Sequence, residues 1–487
     1  MRKLLCLFGL LLLFWNCRKE TTRPAVAQQL EFSQDTVFLD TVFTTIGSST
    51  RILKVRNPSS QDVQIPMIRL GRGNASYFRM NVNGASGSSI ADVELLAEDS
   101  LYILIEVTAD VLGAPDLLYT DSIVFDLQGN QQQDVQLVTL AKNAYFHLPD
   151  RADTIGNYIV PYSVIANDTT WSADLPHVVY GYVLVGENAT LTIPAETQVH
   201  FHSGSGMIVA GSLQTDPLEL SDYDQPVVFQ GDRLEPWYAD VPGQWGGLFG
   251  GLLFLGNSQN NVLNNTLIKN ATIAVRLDSN NSGTSNVRLS NTRIYNSSRV
   301  GLYGGFGHLQ AENLVVGNSG LYDFFALGGR YQFLHSTFAS YGSGRSTPSI
   351  GLFNFFEDAA GNERVRELLD CYFGNCIIYG NRDTEILIGE NTQGAHNYLF
   401  RNVLLRVESD PEDNSYDLND PSHFDQIVQN QDPVFRDYTV NRFDLDTLSP
   451  AMDMGNLQDG SLVPLDIQGK LRSFNGLPDL GAYERIE

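Results

Sequence analysis

Six segments of this sequence share one template, a strand of six residues that usually begins with asparagine. The copies start at Asn265, Asn291, Asn313, His335, Asn375 and Asn402, which are 26, 22, 22, 40 and 27 positions apart. A repeat near 22 residues indicates a solenoid in which each copy adds one rung. Leucine-rich repeats share this period, but their nested leucine pattern is absent and no helical periodicity fills the remainder. The sequence therefore predicts a solenoid of β-strands.

Alternate positions of the repeated strands are apolar or small. Side chains two residues apart lie on the same face of a strand, so these positions are expected to point inward and stack from rung to rung. They are Thr266 and Ile268, Thr292 and Ile294, Leu314 and Val316, Ser336 and Phe338, Cys376 and Ile378, and Val403 and Leu405. The outward set includes Lys269, Arg293, Tyr295, Tyr379 and Arg406. Cys376 is therefore predicted to be a small core residue.

The leading asparagine recurs in five of the six copies, and His335 replaces it in the fourth. A side-chain amide at a tight corner can bond to the same amide in the rungs above and below. We therefore expect an asparagine ladder, in which His335 has a structural role rather than a catalytic one.

The chain before these repeats is built of short strands that end in Gly, Pro, Asn or Ser. These strands lie within Val178–Val185, Ala189–Pro194, Gln198–Phe201 and Gly206–Leu213, and Gln244–Leu248 follows. The succession resembles the opening coils of the right-handed parallel β-helix (pectin-lyase-like) superfamily. The resemblance implies an all-β chain in which residues 146–487 form the β-helix.

Three motifs near the end of the chain resemble the C-terminal signature of many extracellular bacterial β-helix proteins. They are Ser449–Gly455, Asp466–Arg472 and Pro478–Glu484, and Leu471 is an intruding residue in the second. A solenoid needs a cap on its exposed hydrophobic stack. We expect these motifs to form a C-terminal capping motif, in which Asp479 pairs with Arg472 and Tyr483 covers the exposed end.

Residues 31–145 have a different sequence pattern, in which short strands of alternating apolar and polar residues are separated by turn signals. The strands are Thr36–Leu39, Arg51–Val55, Leu101–Val107, Ile123–Phe125 and Val135–Val138. About 110 residues of this kind indicate a β-sandwich. The stretches Arg51–Asn57 and Gly73–Phe78 resemble the Ig-like domains that precede surface modules in bacterial secreted proteins. We expect an N-terminal Ig-like domain with a spacer or docking role.

The first thirty residues indicate export. Arg2 and Lys3 precede a run of twelve apolar residues, which suits a secretory signal and is too short to span a membrane. Cys17 follows, and the arrangement resembles a bacterial lipoprotein signal with residues 1–16 removed, Cys17 lipidated and residues 17–30 as a linker. The alternative is ordinary cleavage after Ala27. The resemblance implies an outer-membrane lipoprotein, periplasmic or surface-exposed.

The remaining cysteines, Cys371 and Cys376, would lie about 16 Å apart in one extended strand, beyond the reach of a disulfide. A turn at Gly374–Asn375 would bring them closer, so a disulfide remains open from the sequence.

The formal net charge of −25 excludes a nucleic-acid-binding protein, which needs a basic face to neutralise phosphates. The same charge would repel anionic lipid headgroups, so contact with a membrane is expected through the lipid anchor alone. The 26 phenylalanines and 21 tyrosines exclude a disordered chain.

The sequence contains no decisive catalytic motif. The repeats lack an adjacent Asp-Asp pair, and Lys269 is their only lysine. No metal cluster, phosphate loop or Ser-His-Asp set is recognisable, and no cofactor is expected. The acidic stretch Glu408–Asp432 has the charge to attract calcium, but its spacing matches no calcium loop.

Two functions remain open. The first is a glycan or another surface partner bound along the β-helix without catalysis. The second is a polysaccharide lyase, or another carbohydrate-active enzyme, acting on a uronate polysaccharide. The candidate binding residues are Trp237, Trp245, Tyr303, Tyr322, Arg330, Tyr331, Arg345, Arg364 and Arg366. Several of them lie in or beside an insertion of about eighteen residues within Ser343–Leu369, and such insertions often carry the binding face of a solenoid.

Overall fold

The computed structural model describes residues 29–110, 116–217, 223–280, 283–284, 286–342, 344–408, 415–472 and 476–485. The chain forms two compact units, one ending at Ala144 and the other beginning at Tyr145. The proposed signal peptide and Cys17 lie outside the described residues. Within them, no helix combines the length and the apolar character that crossing a membrane requires.

The strands are numbered along the chain. Those of the first unit are β1 Glu31–Phe32, β2 Thr36–Phe43, β3 Arg51–Arg56, β4 Val63–Leu70, β5 Phe78–Val82, β6 Ala85–Gly87, β7 Ser89–Leu95, β8 Ser100–Val107, β9 Asp116–Asp126 and β10 Gln132–Lys142. Those of the second unit up to its middle are β11 Tyr145–His147, β12 Arg151–Ile155, β13 Tyr158–Ile165, β14 Thr169–Thr170, β15 His177–Val179, β16 Tyr182–Val185, β17 Thr190–Ile193, β18 Gln198–Phe201, β19 Gly206–Val209, β20 Ser212–Thr215, β21 Val227–Gly231, β22 Leu252–Phe254, β23 Asn261–Asn264, β24 Thr266–Lys269, β25 Ile273–Asn280, β26 Gly283–Thr284 and β27 Asn286–Ser290. The remainder are β28 Arg293–Tyr295, β29 Val300–Gly305, β30 His308–Glu312, β31 Val315–Gly317, β32 Tyr322–Leu327, β33 Gly329–Leu334, β34 Thr337–Ser340, β35 Ile350–Phe353, β36 Phe355–Glu357, β37 Glu363–Val365, β38 Leu368–Gly380, β39 Ile386–Gly389, β40 Leu399–Leu405, β41 Phe424–Gln429, β42 Phe435–Asp437, β43 Arg442–Leu445 and the helix α1 Leu457–Leu462.

The first unit is a β-sandwich. Its two five-stranded sheets have the orders β1-β3-β8-β5-β6 and β2-β10-β9-β4-β7. Leu53 and Ile103 of one sheet belong to the same buried cluster as Ile65, Phe125 and Leu137 of the other. The alternation of buried and exposed residues in these strands produces the two inner faces, as the sequence predicted.

The second unit is a solenoid of parallel strands. One sheet, the long sheet, contains 18 strands, and the other, the second sheet, contains 11. A rung contributes two strands to the long sheet and one to the second sheet, as in β27, β28 and β29 followed by β30, β31 and β32. The predicted inward residues are buried, and Ile294, Val316, Phe338 and Ile378 adjoin one another in register. The all-β fold and the parallel β-helix are therefore confirmed.

The backbone conformation at the first position of the template explains why the repeat needs asparagine there. All six template positions have left-handed backbone, with φ between 39° and 52°, which asparagine adopts more readily than other non-glycine residues. The Asn313 amide also donates to Asn291 Oδ1 at 2.9 Å. His335 Nε2 lies 3.0 Å from Asn375 Nδ2, and burial holds the pKa of His335 well below its usual value, so a neutral imidazole accepts this bond.

The C-terminal segment, residues 433–472 and 476–485, closes the hydrophobic surface along the side of the rungs rather than at their end. Its apolar side chains cover outward residues of the long sheet, which we call the covered face and which comprise Tyr295, Val315, Ala339, Ile377, Tyr379 and Leu404. A Cβ atom on Gly317 would lie 2.6 Å from the Phe443 ring, so glycine permits this approach. The expectation that Tyr483 covers the end is thereby corrected, because Tyr483 belongs to this lateral cluster.

The expected Arg472–Asp479 pair is also corrected. Arg472 lies 3.5 Å from Glu484 and donates to Asn313 Oδ1 at 2.7 Å, all in the buried interior of the segment. Asp479 instead accepts from the backbone N–H groups of Asp453 and Arg485, each at 2.8 Å. These amides orient the Asp479 carboxylate, and the Arg472 guanidinium donates to Asn313 and to the Ala482 carbonyl.

Cys371 and Cys376 are buried free thiols in β38. Cys376 is fully buried at its inward position, which confirms its predicted core role.

Candidate functional site

The outer surface of the second sheet carries a continuous column of side chains, which we call the open face, and all of them are partly exposed except the buried Leu253. Each member pairs in register with the next across neighbouring parallel strands. The column is Leu184, Ile208, Leu253, Arg276, Tyr303 and Phe325. Its first three members are aliphatic, and its last three are cationic or aromatic.

The period of two along each strand places these residues outside. Tyr303 lies between the inward residues Leu302 and Gly304, and Phe325 lies between Phe324 and Ala326. The inward neighbours are buried, whereas Tyr303 and Phe325 keep part of their surface in solvent. The local sequence therefore fixes the direction of the rings.

The aromatic residues form a ladder along the solenoid axis. The ring centroids of Tyr303 and Phe325 are 5.7 Å apart, and those of Phe325 and Phe353 are 5.4 Å apart. Glycines in the next rung leave room for the rings, since a Cβ on Gly351 would lie 2.9 Å from the Phe325 ring and one on Gly389 would lie 2.3 Å from Phe353. Tyr322 packs beside Phe325 at 5.0 Å.

Arg276 lies at the junction of the aliphatic and aromatic parts. Its guanidinium carbon is 5.6 Å from the centre of the Tyr303 ring, and its Nη2 donates to Asp278 Oδ2 at 3.0 Å. The ring and the carboxylate together hold the guanidinium plane in place. Burial raises the pKa of Tyr303, so its phenol is a neutral donor at physiological pH.

The insertion brings a second arginine to the same surface. It contains the antiparallel hairpin of β36 and β37, and Arg366 follows this hairpin. The guanidinium carbon of Arg366 is 6.0 Å from the Phe306 ring centre and 5.5 Å from that of Phe356, and Nη1 is 3.3 Å from Ser279 Oγ. Among the described residues, Arg366 has no ion-pair partner.

Three of the nine sequence candidates therefore meet at the open face: Tyr303, Tyr322 and Arg366. Arg364 lies on the neighbouring hairpin, where it is paired with Asp358 at 2.8 Å. Arg330 is exposed at the start of β33, in register with His308 and Asp370. Trp237 is 53% exposed in the short turn Pro236–Tyr238.

The other three candidates are buried and cannot present their side chains to a ligand. Trp245 stacks on Phe201 at 4.2 Å inside the solenoid, and its Nε1 donates to the Lys269 carbonyl. Tyr331 is a core residue whose hydroxyl accepts from the Gly307 N–H at 3.2 Å. Arg345 forms a buried pair with Glu385. Each fills a space or neutralises a charge within the fold.

Arg276, Phe325 and Phe353 were not identified from the sequence, although a signal for them exists. Arg276, Tyr303 and Phe325 are 27 and 22 residues apart, which is the rung spacing. The asparagine template marks only the second strand of each rung in the long sheet. Extending the same periodicity to the third strand would have aligned these outward residues.

A histidine–carboxylate pair was also not identified. His202 Nδ1 lies 2.7 Å from Asp232 Oδ2, and the Tyr180 ring stacks on the imidazole at 4.4 Å. Burial raises the pKa of Asp232, and the His202 side chain is 46% exposed. The carboxylate orients the partly exposed imidazole through Nδ1, an arrangement that suits a general base.

The described residues contain no group of three or more His, Cys, Asp or Glu side chains that could hold a metal ion.

No family model and no curated protein matches this chain. Among solved structures, it is similar to a PapD-like domain of human CEP192, with 12% identity over 26% of this chain and 92% of that one and a TM-score of 0.17. The Salmonella enterica SafA pilin–SafB chaperone complex gives 12% identity over 25% of this chain and 57% of that one, with a TM-score of 0.17. The catalytic domain of a GH87 alpha-1,3-glucanase in complex with nigerose gives 11% identity over 74% and 81%, with a TM-score of 0.16. These scores carry no argument about function.

Proposed function

We propose that the open face binds an anionic glycan without catalysis. The observation that carries this proposal is the pair of guanidinium groups, of Arg276 and Arg366, held against aromatic rings in a protein whose net charge is −25. Asp278 balances the charge of Arg276, so the positive charge left on this surface is that of Arg366, and both guanidinium groups keep N–H donors that suit an anionic ligand.

The chemistry of the surface matches a uronate chain. A guanidinium fork bonds a carboxylate with two parallel N–H donors. Sugar rings carry apolar C–H faces, which bury area against aromatic side chains such as Tyr303 and Phe325. Because the ladder follows the rungs, its groups recur about every 5 Å, and an extended polymer can contact several of them.

The test is affinity electrophoresis or calorimetry with polygalacturonate and alginate, using neutral dextran as the reference polymer. We expect binding to the uronates that weakens with salt and is absent for dextran. Arg276→Gln and Arg366→Gln should each weaken binding about tenfold. The matched control is Arg288→Gln, which removes an exposed arginine of the long sheet that is paired with Glu312. Retention of wild-type affinity by both open-face variants, or no binding to any uronate, would contradict the proposal.

A second candidate function, a uronate lyase, is favoured by His202 and Asp232. An imidazole held at 2.7 Å from a carboxylate can remove a proton from a sugar carbon. Its test is the absorbance of unsaturated products during incubation with the same uronates. Product formation that is abolished by His202→Gln would support the lyase, and intact polymer after prolonged incubation would exclude it for those substrates.

We further propose that the protein is exported and anchored to the outer membrane through a lipid on Cys17. The supporting feature is the short apolar run Leu4–Trp15, which Asn16 separates from this cysteine. Mass spectrometry of the mature N-terminus in a bacterial host should find a lipidated Cys17, and Cys17→Ala should release the protein from the membrane fraction. An unlipidated product that starts at Gln28 would contradict anchoring.

A further inference from the structure

An apolar groove of about 280 Å³ lies on the aliphatic part of the open face. Leu184, Ile208 and Leu253 form its floor, and Phe249 and Ile155 are among the residues that line it. Ile155 belongs to the hairpin of β12 and β13 and is 50% exposed, while Leu184 and Ile208 are partly exposed. This volume is close to the lower limit of small-molecule sites, about 300 Å³.

The polar groups of the groove already bond to each other. Asp153 and Tyr162 lie on its rim, and the Tyr162 hydroxyl donates to Asp153 Oδ2 at 2.9 Å. The other lining side chains are aliphatic or aromatic hydrocarbons. A polar ligand in this groove would lose its hydration without replacement hydrogen bonds, whereas a hydrocarbon chain would gain from burial.

The groove ends directly at the cationic site. Leu253 on its floor pairs in register with Arg276 of the next strand, and Arg276 pairs with Tyr303 of the following one. Neighbouring strands are about 4.8 Å apart. A group attached to the end of a ligand that lies over Leu253 therefore reaches the neighbouring strand, which carries Arg276.

We infer that the open face binds an anionic saccharide that carries an alkyl or acyl chain, with the chain in the groove and the acidic sugar at Arg276. This inference rests on the proposed glycan-binding function and adds the chemical class of the ligand. Charge complementarity decides between possible occupants, since a purely apolar partner would cover the Arg276–Asp278 pair without bonding to it.

Calorimetry with the full chain can separate the two parts of the ligand. The probes are octyl β-D-glucuronide, methyl β-D-glucuronide and octyl β-D-glucoside, each below its micelle concentration. We expect octyl glucuronide to bind at least tenfold more tightly than the other two, because each buried methylene adds up to about fourfold.

Two groove variants, Ile208→Asn and Leu184→Asn, should make the octyl and methyl glucuronides bind equally. Arg276→Gln should make octyl glucuronide and octyl glucoside bind equally. The control is Leu448→Asn, which changes a leucine that is 87% exposed and does not line the groove.

Binding of methyl glucuronide and polygalacturonate with no gain from the octyl chain would overturn this inference and leave the proposed function intact. Tight binding of octyl glucoside that is independent of Arg276, without binding of any uronate, would overturn both. Concentration-dependent dimerisation that is abolished by Ile208→Asn, with no effect of the octyl chain, would instead assign the groove to a second copy and also overturn the inference.

Discussion

The solenoid has aromatic side chains on two outer surfaces, which differ in their exposure to solvent. On the covered face, Tyr295 and Tyr379 are only 8% and 7% exposed because the C-terminal segment packs over them. On the open face, Tyr303 and Phe325 remain partly exposed. The same outward register therefore produces a buried core in one place and a partly exposed surface in the other, and the difference is the chain segment that packs on top.

The largest expected effect comes from removing the buried cation of the C-terminal segment, Arg472. Arg472→Ala removes the cation that faces Glu484 and leaves Asn313 without its donor. Arg472 also faces Asp466 and Asp479, and removal of the one cation from such a buried group of carboxyls costs about 3 to 5 kcal/mol. Urea unfolding followed by tryptophan fluorescence should show this loss.

The matched change is Arg288→Ala, whose pair with Glu312 is at the surface and should contribute less than about 1 kcal/mol. Equal losses in the two variants would mean that burial under the C-terminal segment adds nothing to the contribution of Arg472.

Substitution of Tyr295 and of Tyr303 tests the comparison between the covered face and the open face more directly. Tyr295→Ala opens a cavity beside Phe443 under the cover, and we expect a loss of about 3 kcal/mol in the free energy of unfolding. Tyr303→Ala removes a partly solvated ring and should cost less than about 1 kcal/mol. In the glucuronide titration the order reverses, and only Tyr303→Ala should weaken binding. A large stability loss for Tyr303→Ala would make the aromatic ladder structural.

How much of this the sequence could predict depends on the range of the contacts. The inward positions from Thr266 to Leu405 follow from a period of two within strands and about 22 between rungs, so they were predicted correctly. The packing of the C-terminal segment over the covered face was not predicted, because its contacts join distant parts of the chain. The Asn313 amide and the Leu465 carbonyl, for example, are 152 residues apart. Burial of Trp245 and Tyr331 was missed for a related reason, since an aromatic residue looks the same in sequence whether it faces inward or outward.

The site was only partly predictable. Tyr303, Tyr322 and Arg366 were identified by residue type, but their convergence with Arg276 requires the rungs to be aligned in space. The hairpin that positions Arg366 is an insertion, so it has no place in the repeat.

A third prediction concerns the corner that supports the covered face. Asn291 has φ of 49°, donates to Asn264 Oδ1 and accepts from the Asn313 amide. Asn291→Ala should cost about 2 kcal/mol, from left-handed backbone strain together with the lost hydrogen bonds. Asn291→Gly relieves the strain and should lose only about half as much. Equal stability of the alanine and glycine variants would show that backbone conformation is not the reason for the ladder.

A further effect expected is a dependence on pH at the covered face. Glu484 shares a buried space with Asp466, Asp479 and one guanidinium, and burial, followed by the charge of Asp479, raises the pKa of Glu484 from 4.5 to about 8. Between these values the folded protein holds a proton that the unfolded chain has released. The contribution of Glu484 to stability should therefore be fully present below about pH 4.5 and be lost as the pH rises toward 8, by at most about 1.4 kcal/mol per pH unit.

Glu484→Gln mimics the neutral carboxyl group and has no proton to release, so its unfolding free energy should decline less than that of the wild type between about pH 5 and about pH 8. Urea titrations at intervals across this range give the two profiles, and Glu312→Gln provides the same change at a site that is not fully buried. A flatter profile for Glu484→Gln alone would place the pH dependence in the covered face. Parallel profiles for all three proteins would mean that Glu484 is ionised in the folded state, and the cover would then be stabilised by a charged Arg472–Glu484 pair.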